Sequence, residues 1–313
     1  MQNNKIICCI KKIIAFFIFL ALFFNPLFST VAGSNMVWIQ MEQLPFEVIF
    51  TPLDSTNAKT ILHLLKQSHP VLVAAFQDTS TAVIHVLIAP SQAQFDLLTG
   101  HVIPEWGEAA SDITRRRIVL KSPNWVTYSM KMHTIVVHEL THIILESAAN
   151  GNAIPRWLNE GIAIHYSQDT NYASGSYISK ALLTNSLIPL DKIDSVLKFQ
   201  RNKASLAYQE SYFAVKYLTE RYGENILGDI IQQLSRGVQM DSIFIQTTGE
   251  DLAAFERNWT QSLSATHRWD FLQEAGNYVW IAIGILFIIA ILRIHKRKQK
   301  ILKQWEEEEQ QLR

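Results

Sequence analysis

Past residue 9 the sequence contains no cysteine. The two it has, Cys8 and Cys9, are adjacent and precede an apolar run, so nothing downstream can be held by a disulfide and stability must come from a packed core. The chain has no excess of either charge, with 28 Lys and Arg against 28 Asp and Glu in 313 residues. That balance excludes the long-range attraction by which strongly basic proteins gather nucleic acid. No internal repeat is evident, and the one low-complexity stretch is EEEEQQ, Glu306 to Gln311.

What the sequence does have is apolar runs at both ends. IIAFFIFLALFF, Ile13 to Phe24, follows Lys5, Lys11 and Lys12 and precedes small residues around Ala32. That is the layout of a secretory signal peptide, or of a signal anchor if it is not cleaved, over 1–32. YVWIAIGILFIIAIL, Tyr278 to Leu292, is followed by Arg293 and then HKRKQK from His295. With its flanks, 275–294 reaches the roughly 20 residues that span about 30 Å of hydrocarbon. By the positive-inside rule the tail 295–313 is cytoplasmic, a short exposed helix near anionic lipid, and everything between the two runs lies outside, tethered to the bilayer through the C-terminal helix.

The central region changes character near residue 128. Over 36–128, short β-branched or aromatic runs (Phe46 to Phe50, Ala82 to Ala89, Arg116 to Lys121) alternate with helical patterns at Ala58 to Gln67 and Ser91 to Leu98, which reads as a small mixed sheet with helices. Over 129–268 helical patterns dominate: Met130 to Ala149, Pro155 to Ser167, Ser205 to Tyr222, Glu224 to Ser235 and Asp251 to Ser264, with Gly151, Gly223 and Gly249 between them as stops. The expected class is α+β, a strand-rich lobe feeding a helical one. The arginines of TRRRI, Thr114 to Ile118, read as a solvated rim.

The helix expected over Met130 to Ala149 carries HELTH. Residues four apart share a helix face, so His138 and His142 can aim two imidazoles at one zinc ion, while Glu139, one position round, can reach a water without binding the metal. That division of labour suits hydrolysis, the metal lowering the water's pKa and the glutamate moving its proton. A third ligand is required. Leu145 and Ala148 stand where the metzincin pattern needs Gly and His, which closes that route. Glu160, in the next predicted helix, is the candidate, because Trp157, Leu158, Ile162 and Ile164 make that segment apolar and a charge within it calls for a partner.

HELTH together with IPRWLNEGIA resembles the gluzincin metallopeptidases, and most closely the membrane-associated bacterial peptidase MA-like proteins. The likeness extends through EWGEAASDITRRRIVLKSPNW, LAYQESYFAVKYLTERYGENIL and TGEDLAAFERNWTQSL, about Pro104 to Leu263. The resemblance implies one Zn2+ at His138, His142 and Glu160 and Glu139 as general base. It also implies a thermolysin-like fold in which an edge strand, expected at Ile118 to Lys121, aligns an extended polypeptide substrate. It places the oxyanion donor at Tyr208, with Tyr212 as competitor; His165, beside Tyr166, reads as packing. Ile164 stands where such enzymes often carry an aspartate that orients a histidine, leaving Asn159 or Glu146 as candidates for that task. The GxMEN motif of related aminopeptidases is absent, which points to cleavage inside a polypeptide. The expected function is a membrane-anchored zinc endopeptidase acting outside the cytoplasm, and its rival is a catalytically silent interaction protein on the same fold. Intramembrane proteolysis is discounted because Lys131, His133 and Glu146 border the HELTH helix too closely.

Overall fold

The computed structural model describes residues 36–311 apart from 106, 129, 174, 199–200 and 269–270. The first apolar run and both cysteines lie outside the described residues. The chain separates into Met1–Val37 and Trp38–Arg313, and every element named below belongs to the second unit.

The sheet contains β1 (Ile39–Gln43), β2 (Phe46–Phe50), β3 (Ile84–Ala89), β4 (Ala109–Asp112) and β5 (Arg117–Lys121), in the order β1-β2-β3-β5-β4. β2 and β3 are parallel, as are β3 and β5, and parallel neighbours need crossovers. These are α1 (Ser55–Phe76) and α2 (Gln92–Thr99). Side chains alternate along each strand. Ile84, Val86, Ile88, Ile118 and Leu120 face the main core, whereas Ala89 and Val119 face a smaller cluster with Phe95 of α2.

Two strands escape the sequence patterns. β1 is exposed along most of its length and β4, AASD, is only half-buried. Each pairs on one side only, so backbone bonding rather than side-chain burial defines it. The edge strand expected at Ile118 to Lys121 is therefore corrected: that segment is β5, enclosed between β3 and β4, and the free edge belongs to Ala109–Asp112. α1 likewise continues past Gln67 and through Pro70 to Phe76. A mid-helix proline costs about 3 kcal/mol, and burial of Leu72 and Phe76 beyond it offsets that cost.

The remaining helices are α3 (Met132–Ala148), α4 (Arg156–Ser167), α5 (Ser176–Thr184), α6 (Arg201–Tyr222), α7 (Asn225–Ser235), α8 (Met240–Thr248), α9 (Leu252–Thr266) and α10 (Phe271–Gln311). The architecture is thus mixed α/β, with ten α-helices among the described residues. α10 includes Val279–Leu302, long and apolar enough to cross a membrane, and its apolar residues are exposed. The arginines after β4 do more than rim the surface. Arg115 and Arg117 both pair with Asp112, and half-buried Arg117 also donates to the Leu98 carbonyl, which closes the end of the β4–β5 hairpin.

α3 is buried on most of its circumference, from Thr134 through Leu145. The chain reverses after it through Asn150 and Gly151, and the Asn152 amide pins that turn to the carbonyls of Ala149 and Ser235. α4 then returns beside α3 and lies against α6. Gly161 makes that approach possible: a Cβ there would stand 2.3 Å from the Ser211 carbonyl oxygen and 2.5 Å from a Val215 methyl. At its far side Trp157 stacks on Phe255 of α9, ring centres 6.0 Å apart.

α6 carries a buried polar run. The Gln209 side chain accepts from the N–H groups of Tyr177 and Ile178, supplying the cap that α5 lacks, and Glu210 accepts from the Ile188 N–H at 2.9 Å. Burial pushes the Glu210 carboxyl up to about 8, opposed by the Ile188 N–H and reinforced by Glu256.

Two outcomes follow from these contacts. An exposed helical Gly→Ala change gains up to about 1 kcal/mol; Gly161→Ala is expected instead to cost about 1–3 kcal/mol by overpacking and to lower Tm by about 3–10 °C. A Tm equal to or above wild type would refute the close α4–α6 contact. Glu210, with its folded-state pKa above the ordinary value of 4.5, binds its proton more tightly in the folded chain. Its contribution is fully present below about 4.5 and is lost as pH rises to about 8. Glu210→Gln keeps the acceptor for Ile188, so it should flatten Tm across that window and stand a few degrees above wild type at higher pH. A Tm difference that does not change with pH would show that Glu210 is not the titrating group.

Candidate metal centre

The centre is built from two adjacent helices. His138 and His142 lie one turn apart on the inward face of α3, with Thr141 between them bonded back to the Val137 carbonyl. Glu160 comes from the middle of α4 and is 4% exposed. The two imidazole Nε2 atoms are 3.1 Å apart, and Glu160 Oε2 is 3.5 Å from the first and 3.6 Å from the second. Three ligand atoms around a tetrahedral ion with bonds of about 2.0–2.1 Å stand about 3.3–3.4 Å apart. The three side chains together could hold one metal ion, and no other such group occurs among the described residues.

The electrostatics match. Burial pushes the Glu160 carboxyl up, but His142, His138 and the Arg156 guanidinium overcome it and hold the group at about 2. Burial likewise lowers His138, and contact with Glu160 and the charges of Glu139 and Asp169 more than reverse this, so its pKa is raised. His142 is lowered, by burial and by its neighbour His138. A permanently ionised carboxylate between two imidazoles, one of which is drawn toward its charged form, is a site that demands positive charge.

Each ligand has its own support. His142 Nδ1 is 2.7 Å from Asn159 Oδ1. An amide oxygen only accepts, so Nδ1 carries the proton and Nε2 keeps its lone pair toward the centre. Of the two residues considered for this task, it is Asn159 rather than Glu146 that makes the contact; Glu146 shows only the upward push of burial. Ile164 is fully buried apolar core.

Arg156, one turn before Glu160, escaped the sequence reading, although IPRWLNEG carries the i, i+4 spacing that would have indicated it. Its Nε lies 2.8 Å from Glu160 Oε1 without an aligned hydrogen bond, so the contact is an ion pair, and it leaves Oε2 for the centre. The Arg156 backbone N–H is held by Asp194.

A cleft of about 450 Å³ opens over His138 and Glu139. The start of β4, with Glu108 and Ala109, forms one wall; Asp169 and Tyr172, from the segment after α4, and Tyr208 of α6 form others. The Arg156 guanidinium lies near the Tyr208 hydroxyl, whose pKa is raised far above normal by burial and by the Glu160 charge. Tyr212 faces elsewhere, edge-on to Phe213, and does not line the cleft. His165 bonds Glu224 at 3.0 Å and abuts Tyr166, as a packing residue does.

The family model of the Peptidase MA superfamily matches residues 79–265, well over half of the chain. The chain belongs to the Peptidase MA superfamily. The matched range takes in β3 to β5 and α2 to α9, hence every residue of the centre, and leaves out β1, β2, α1 and α10. The chain is also 21% identical over 223 residues to "Uncharacterized protein YhcO" of Bacillus subtilis (strain 168), a match covering 66% of each, a little under two thirds of that protein's length.

Proposed function

We propose that this member of the Peptidase MA superfamily is a membrane-anchored zinc metallopeptidase of gluzincin type, with a thermolysin-like fold, that cuts within polypeptides outside the cytoplasm. The observation that carries the reading is the triangle of His138, His142 and Glu160, whose edges fit a small divalent ion and whose charges call for one. His138, His142 and Glu160 would hold the zinc, which when bound supplies Lewis acidity and lowers the pKa of water.

Glu139, in the cleft beside His138, takes the proton of the attacking water and passes it to the leaving amine. Asn159 fixes the ring of His142. Arg156 neutralises the outer oxygen of Glu160 and lies near the hydroxyl of Tyr208; a guanidinium has only donors, so it would leave the tyrosine O–H free to donate onward. Tyr208 thereby hydrogen-bonds the oxyanion that develops on the scissile carbonyl. The free edge of β4, beside α3 and opening on the cleft, pairs with the extended substrate backbone.

The anchor is α10, with 275–294 crossing the bilayer, 36–268 outside and 295–313 in the cytoplasm; an exposed apolar stretch followed by basic residues supports this. The strand-rich 36–128 and the helical 129–268 serve as two lobes of the exported part, and 1–32 as its export signal.

The test of the chemistry is cleavage of a generic unfolded protein by the full chain in detergent micelles. Glu139→Gln should abolish turnover; equal cleavage by both proteins would sink the proposal. Chelation should stop wild-type cleavage, and zinc at 100 times its Kd should restore it and add about 2.7 kcal/mol of stability. Asn159→Ala should weaken zinc binding by about 10- to 100-fold. The anchor is checked separately by deleting 275–294: the remainder should move from the alkali-resistant membrane fraction to the soluble one, and retention in the membrane would place the anchor elsewhere.

A further inference from the structure

The charged residues lining the cleft, other than His138, are all acidic: Glu108, Glu139 and Asp169, with no lysine or arginine among the described lining residues. Glu139 has a task in the proposed chemistry; Glu108 has none, and Asp169 has only its charge beside His138. Asp169 is 4% exposed; its Oδ1 accepts from the Asn171 N–H at 2.9 Å, and its Oδ2 is buried without a hydrogen-bond partner. A buried carboxylate oxygen without a hydrogen-bond partner is rare in folded proteins and calls for an explanation.

A second metal cage is not that explanation. Among the described residues the grouped metal-ligating atoms are those of His138, His142 and Glu160 alone. Glu108 immediately precedes β4, where an extended chain paired with Ala109–Asp112 would run past it. Tyr172, whose ring centre is 5.5 Å from that of Tyr208, adds an aromatic surface in the same cleft. Carboxylates with an aromatic face beside them are what an ammonium or guanidinium group seeks.

Resting on the peptidase reading of the same site, we propose that Glu108 and Asp169 form a subsite for a positively charged group of the substrate. The preferred polypeptides thus present a lysine or arginine side chain beside the bond to be cut; a free α-amino group, the other source of such a charge, would place the cut at an N-terminus instead. Asp169 supplies the unpartnered oxygen, Glu108 adds a second negative charge at the start of the edge strand, and the arriving cation takes over the hydrogen-bonding that Oδ2 lacks.

Three peptides of one sequence test this on the full chain in detergent micelles carrying Glu139→Gln, by fluorescence anisotropy: N-terminally acetylated with a single lysine, acetylated with glutamine in its place, and unblocked with that glutamine. A charged peptide should bind on the order of tenfold more tightly than the acetylated glutamine peptide. Tight binding of the acetylated lysine peptide assigns the subsite to a side chain, and tight binding of the unblocked peptide alone assigns it to the α-amino group. Added Asp169→Asn, which keeps the shape and the Asn171 contact, should reduce the preference to within about twofold; Glu108→Gln is the second variant should the first fail to fold. Equal binding of all three peptides, or a preference unchanged by the folded variant, overturns the subsite. Wild-type cleavage is mapped in parallel. Cleavage indifferent to charge leaves the peptidase reading standing without the subsite, whereas a charge preference in a protein that cuts nothing does the reverse.

Discussion

Glu160 is a carboxylate carried in the middle of a helix whose neighbours, Trp157, Leu158, Ile162 and Ile164, are fully buried. An ionised group in such surroundings is expensive unless it is met by opposite charge and hydrogen bonds. Much of what surrounds it does this. His138 and His142 stand on one side at 3.5 and 3.6 Å and Arg156 on the other at 2.8 Å. Removing Arg156 would leave both carboxylate oxygens to the imidazoles; removing the imidazoles would leave a single surface-reaching cation. The arrangement divides the carboxylate, one oxygen tied to protein and the other turned to the centre.

That division requires α3, α4 and α6 to be held rigidly. α3 is buried on most sides, so the histidine pair cannot rotate without disturbing the core around Ile135, Leu140, Ile143 and Ile144. α4 is held at both flanks: Trp157 lies against Phe255 and Phe244, and Gly161 presses backbone against backbone on α6. A side chain at Gly161, next to Glu160, would push α4 off α6. Through the same contact α6 brings Tyr208 to Arg156, so one close approach sets both the carboxylate and the hydroxyl. The hydrogen bonds accepted by Gln209 and Glu210 extend this order outward, fixing the start of α5 and the loop before Leu190.

The local parts of this were legible in the sequence and the non-local ones were not. HELTH and the apolar setting of Glu160 are short-range patterns, and the triangle they suggested is the one the fold assembles. Arg156 was within reach of the same reasoning, as an i, i+4 partner. Asn159 was named only as one of two candidates, because which face of α4 meets His142 depends on how two helices pack. Asp169 left no local signal, since its meaning comes from a cleft wall that only the folded chain creates. The strand patterns found the buried β2, β3 and β5 and missed β1 and β4, whose identity lies in their pairing. The misplaced edge has the same cause: hydrophobic runs mark central strands, so the most strand-like segment near the site was bound to be an inner one.

The corrected edge sharpens how a polypeptide would meet the centre. β4 is four residues long, too short to invite uncontrolled strand addition, yet it borders the cleft and lies beside the helix that bears His138 and Glu139. A chain paired there would be delivered along a line that starts at Glu108 and passes the face of α3 that bears His138 and Glu139. The other edge, β1, is separated from β4 by three strands and offers no route to these side chains. Alignment and charge would then act on the same residues of a substrate. Backbone pairing would fix its direction and register, whereas the acidic wall formed by Glu108 and Asp169 would decide which side chain or terminus settles at that register. Specificity on this arrangement is a property of the β4 side of the cleft, and it can change without any change in the triangle of His138, His142 and Glu160.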